Sequence, residues 1–63
     1  MQLSLRAARI DAGLKQTDMA LELNVSRKTI GSWESGKSMP TTDKVDAICA
    51  LLGRNYDDIK WRG

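Results

Sequence analysis

Arg27 and Lys28 stand side by side directly after Ser26, and Gly31 and Ser32 follow four positions later. Residues four apart share a face of a helix, so a helix opening at Arg27 presents two cations, a bare backbone position and a hydroxyl on one side. Guanidinium and ammonium groups only donate hydrogen bonds. Their natural acceptors are phosphate oxygens, or the O6 and N7 atoms on the major-groove edge of guanine. The chemistry on offer is recognition rather than bond-making.

Local signals define the elements that must hold this face. Ser26 suits the N-cap of a helix running from Arg27 to about Ser35, with Ile30 and Trp33 inward and Gly36 as its stop. A preceding helix, from about Gln16 to Leu23, buries Met19, Ala20 and Leu23, with Ala20 at the closest helix contact. Asn24 sits where the chain turns and tolerates the left-handed conformation, and Val25 plugs the corner. Two short helices joined by about three residues have the geometry of a DNA-reading helix-turn-helix.

The flanking sequence supplies further helices. Leu5, Ala8 and Ala12 recur at helical spacing before Gly13, so the spacing predicts a first helix over about Ser4 to Ala12. After Pro40, Thr41 can cap a fourth helix whose stripe is Val45, Ile48, Cys49 and Leu52, closed by Gly53. Asn55 can cap a last helix, Tyr56 to about Lys60, with Asp57 and Asp58 where the helix dipole favours them and Ile59 docking it. No stretch alternates apolar and polar residues, so no strand is expected. The expected fold is all-α: five short helices in one domain over residues 1–63, with a core from about 4 to 60 and a tail at 61–63.

Composition narrows the function classes. Sixty-three residues suffice for one small domain, and a chain this short hides only about 60% of its unfolded surface. Ten Lys+Arg against eight Asp+Glu give a net charge of +2, a mild attraction to phosphate. The excess lies in residues 1–40, where Arg6, Arg9, Lys15, Arg27, Lys28 and Lys37 face Asp11, Asp18, Glu22 and Glu34. The remaining bases and acids balance. One cysteine, Cys49, and no histidine leave no intrachain disulfide and no zinc set. No cofactor or metal is expected, and neither a secretory leader nor a membrane span is recognisable. The expectation is a cytoplasmic protein. Without histidine, a paired-carboxylate spacing or a glycine-rich phosphate loop, an enzyme has no support.

In order and spacing, LRAARIDAGLKQ, MALELNVSRKTIGSWESGK, Pro40 and the ending ALLGRNYDDI resemble the Cro/cI-type helix-turn-helix regulators. These are the phage-repressor-like, xenobiotic-response-element-type proteins, and the likeness covers about residues 5 to 60. It implies a lambda-repressor-like fold and a DNA-facing role. By resemblance, Gln16 anchors a phosphate and braces the first residue of the reading helix; Arg27, Lys28 and Ser32 occupy base-reading positions. Arg9 and Glu34 correspond to a salt bridge between the first and third helices that also aims Arg9 at a phosphate. Lys37, with Ser35 and Ser38, falls in a loop that touches the DNA backbone. Ser26 and Thr29 are expected at the backbone as well. Lys15 and Asn24 depart from the family's usual serine or threonine cap and turn glycine; a lysine at 15 can instead reach phosphate.

Several residues carry two readings. Lys28 can read a base edge or hold only a phosphate, since a lysine is a flexible point charge. Gly31 costs about 1 kcal/mol relative to alanine in a helix interior; the missing side chain lets DNA approach closely or leaves room for Arg27 to swing, against simple tolerance. Trp33 can be core or a platform for stacked bases. Leu51, Tyr56, Ile59 and Trp61 are expected to form a homodimer interface, against the alternative that they close the core. The chain thus reads as a sequence-specific double-stranded DNA-binding regulator, a phage- or prophage-type repressor. The rivals are an antitoxin-like module whose main partner is another protein, and a binder of RNA or single strands, which few aromatics disfavour.

Overall fold

The computed structural model describes residues 2–61. It contains four α-helices: α1 (Leu5–Asp11), α2 (Gln16–Leu23), α3 (Arg27–Ser35) and α4 (Thr42–Leu52). A 3-10 turn, Tyr56–Asp58, follows α4. Two-residue strands close the two ends of the chain together: β1 (Leu3–Ser4) pairs in parallel with β2 (Ile59–Lys60), Leu3 beside Ile59 and Ser4 beside Lys60.

Each helix begins and ends for a local reason. Ser4 Oγ accepts from Ala7 N–H at 3.1 Å to start α1, and Ser26 Oγ accepts from Thr29 N–H at 3.1 Å to start α3. Lysine has no acceptor, so α2 is capped from the other direction: Asp18 Oδ2 accepts from the Lys15 backbone N–H at 2.9 Å. That is half of a capping box. Asn24 closes α2 at φ +57, the one left-handed non-glycine position among the described residues. Alanine there lacks the short polar side chain that eases this conformation, so Asn24→Ala should cost about 1 kcal/mol. In a domain this small the melting temperature should fall by about 4–8 °C, as read by circular dichroism.

Met19, Ile30, Ile48 and Ile59 are fully buried at the centre, ringed by Leu5, Ala8, Ala20, Leu23, Trp33, Val45, Leu52 and Trp61. Trp33 is therefore core, not a stacking platform. Lys44 extends from α4 to donate to the Leu23 carbonyl at 2.7 Å, satisfying an orphan group at the end of α2. Cys49 lies half-buried; burial, then the Asp46 and Asp58 carboxylates, push its thiol above the ordinary value.

The C-terminal end corrects the sequence reading. The expected fifth helix is only a 3-10 turn followed by β2, so helix Tyr56–Lys60 does not form. Ile59 cannot dock a helix and instead enters the core through the strand pair. Ile59 is 1% exposed and Trp61 7%, so both close the monomer core and neither is free to form a dimer surface. Trp61 Nε1 donates to the Tyr56 carbonyl at 3.0 Å, and its ring stacks on Tyr56 with centroids 5.7 Å apart. Trp61 is thus no tail; the rest of that expected tail, residues 62 and 63, lies outside the described residues. Two smaller points also differ. Ala12 is exposed, the third inward position of α1 being taken by Arg9. Thr41 stands at the N-cap of α4 without a side-chain cap bond.

Candidate nucleic-acid interface

A polar cluster buried between three helices fixes α3 against the rest of the molecule. Arg9 on α1 donates from Nε to Glu34 Oε2 at 2.5 Å and from Nη2 to Glu34 Oε1 at 3.3 Å. Its Nη1 donates to the Leu14 carbonyl at 2.8 Å, tying in the loop before α2. Gln16, the first residue of α2, donates from Nε2 to Glu34 Oε1 at 3.0 Å. The Arg9 and Glu34 side chains are 9% and 5% exposed, so the carboxylate of α3 gathers α1 and α2 around itself in a site largely shielded from water.

This arrangement bears on the expected role of Arg9. Three of its N–H donors are spent inside the protein. The guanidinium is thereby fixed in place, and Arg9 still lines the opening at the start of α2. Gln16 turns its amide N–H toward Glu34. Its side-chain oxygen has no hydrogen-bond donor among the described residues.

The surface above this cluster is cationic and unspent. Of the lysines and arginines in the described residues, Arg9, Lys44 and Arg54 donate to protein acceptors, Arg54 to Asp11 at 2.5 Å on the surface. Arg6, Lys15, Arg27, Lys28 and Lys37 make no side-chain hydrogen bond or ion pair to the described residues, and all five line two adjoining openings. The first, about 470 Å³, is walled by Arg6, Arg9, Lys15, Thr17 and Arg27 around the start of α2. The second, about 490 Å³, runs along α3 past Lys28, Gly31, Ser32, Ser35 and Lys37. Gln16 and Arg27 line both. Lys60 lies apart, on β2.

The backbone of α3 sets where these groups stand. Ile30 and Trp33 are buried, so Arg27, Lys28, Gly31 and Ser32 are left on the outer side. At the far end Gly36, at φ +82, lets the chain reverse, and Lys37 N–H donates to the Ser32 carbonyl at 3.0 Å. Lys37 is therefore carried back beside the same face. The Ser26 and Thr29 hydroxyls hydrogen-bond each other at 2.9 Å, and neither residue lines the two openings.

Arg6 is the residue the sequence reading missed. Its spacing of three from Arg9 puts the two on one side of α1, which was the available signal. What the spacing does not show is that α1 runs past the start of α2, bringing Arg6 to Lys15 and Thr17.

With this geometry in view, the chain matches the helix-turn-helix family over residues 5–59. The chain belongs to that family. Its type is that of the Cro/cI helix-turn-helix regulators, which are DNA-binding. It is similar to the 26 kDa repressor protein of Escherichia phage HK022, 38% identical over 39 residues that make up 62% of this chain. The match spans only 17% of that relative's length. No solved structure matches the chain. No described helix is long and apolar enough to cross a membrane.

Proposed function

We propose that this helix-turn-helix chain binds double-stranded DNA sequence-specifically as a repressor of the phage or prophage type, working in the cytoplasm. It inserts α3 into the major groove. The observation that carries this reading is the convergence of five cations without protein partners on the two openings beside α2 and α3. A similar protein being a phage repressor supports the regulatory half.

In this reading Arg27 reads a guanine edge, Ser32 contacts a neighbouring base, and Lys28 stands at the groove margin. Arg6, Lys15, Gln16 and Lys37 hold the phosphates on either side, because exposed cations and free helix N–H groups suit backbone oxygens. Ser26 and Thr29, whose hydroxyls are paired, play at most a lesser part. The protein acts on DNA as a homodimer, with two copies of α3 about 34 Å apart matching a palindrome. With Ile59 and Trp61 spent in the core, the contact surface reduces to half-buried Leu51 and exposed Tyr56.

Selection of bound fragments from random duplex DNA, followed by titration of the preferred site over a salt series, tests the proposal. A palindromic site with a steep salt dependence is expected. Equal affinity for every duplex would overturn it. Arg6→Ala should weaken binding to preferred and scrambled duplexes alike and reduce the slope of log K against log salt by about one. An unchanged slope would remove Arg6 from the phosphate contacts.

A further inference from the structure

Gly31 lies within α3, yet nothing inside the protein calls for a glycine there. Its φ is not positive, unlike those of Gly13, Gly36 and Gly53. A Cβ built on it meets no atom within 4 Å. A helix interior disfavours glycine relative to alanine, so the fold alone would do better with a methyl at this position. No contact among the described residues offsets that cost, and Gly31 faces outward into the opening along α3.

The surroundings indicate what fits. Gly31 forms the floor of the groove along α3, between the polar side chains of Arg27, Lys28, Ser32 and Ser35. With its backbone polar groups engaged in the helix ladder, Gly31 offers a bare Cα methylene, an apolar notch between polar side chains. The major groove displays one apolar group, the C5-methyl of thymine. Resting on the proposal that α3 enters that groove, we infer that Gly31 seats a thymine methyl. Gly31 thereby specifies an A·T pair next to the base pair read by Arg27.

The test uses the preferred duplex from the selection and copies in which deoxyuridine replaces one thymidine at a time, a change that removes only the methyl. Wild-type protein should lose roughly ten-fold in affinity at one thymine position of each half-site, a typical effect of one methyl in a fitted apolar site. Gly31→Ala should bind the thymine duplex more weakly and no longer discriminate uracil from thymine at that position, because the new methyl occupies the notch. Its melting temperature should rise by roughly a few degrees, which shows that the loss is not unfolding. If wild type is indifferent to every thymine-to-uracil change, or Gly31→Ala keeps full discrimination, the inference is overturned while the DNA-binding reading stands. If no duplex is preferred in the selection, both fall together.

Discussion

Glu34→Ala is expected to leave much of the protein unfolded at 25 °C. The substitution removes the acceptor of two Arg9 donors and of the Gln16 amide in one step. The guanidinium stays covered, with only the Leu14 carbonyl as partner. Breaking one side of a buried ion pair costs about 3–5 kcal/mol, since an uncompensated charge is left out of water. At about 0.05–0.15 kcal/mol per residue, the whole stability of a chain of this length is of the same order. Urea and thermal unfolding followed by circular dichroism measure the loss. Glu34→Gln keeps the shape and one acceptor oxygen and should fall between. A loss below about 1 kcal/mol for Glu34→Ala would show that the cluster does not hold α3 to α1 and α2.

Arg27→Ala should act on the exposed face of α3 and leave the fold intact. Arg27 is exposed and makes no hydrogen bond to the described protein, so its removal takes nothing from the core. A bidentate arginine on guanine is worth about 1–3 kcal/mol of discrimination. The ratio of affinities for the preferred duplex and a scrambled one should therefore fall by roughly ten- to a hundred-fold. The unfolding midpoint should stay near that of the wild type. Lys37→Ala, by contrast, should lower both affinities together. If Arg27→Ala leaves the ratio unchanged, Arg27 serves the phosphates only, and its place at the junction of the two openings is a backbone site.

What the sequence disclosed and what it hid follow from the range of the forces involved. The turn between α2 and α3 was legible because its signals are local: the Ser26 cap, the left-handed Asn24, the Gly36 stop and the apolar positions Met19, Ala20, Leu23, Ile30 and Trp33 lie within a few residues of one another. The Arg9–Glu34 pair, 25 residues apart, was readable only through resemblance; nothing in its spacing marks it. Its degree of burial, which makes Arg9 a structural tie between α1, α3 and the loop before α2, was not readable at all. Two-residue strands have no periodicity, and the pairing of β1 with β2 joins the two ends of the chain. Ile59 and Trp61 therefore resembled surplus apolar surface until the strand pair turned them inward. Arg6 and Lys44 were hidden for a related reason. Lys44 bonds the end of α2 and Arg6 lines the opening at its start, each from another helix, and the sequence of one helix does not say which neighbour it crosses.

The most direct test of the proposal is a titration of isotopically labelled protein with the preferred duplex, followed residue by residue through its backbone amide resonances. The largest changes are expected at Gln16 and Thr17 at the start of α2, at Arg27, Lys28, Gly31 and Ser32 along α3, and at Lys37. The buried α4 positions Val45 and Ile48 should move little. Changes centred on α4 and Tyr56, with α3 and the start of α2 undisturbed, would contradict the assignment of this face to DNA.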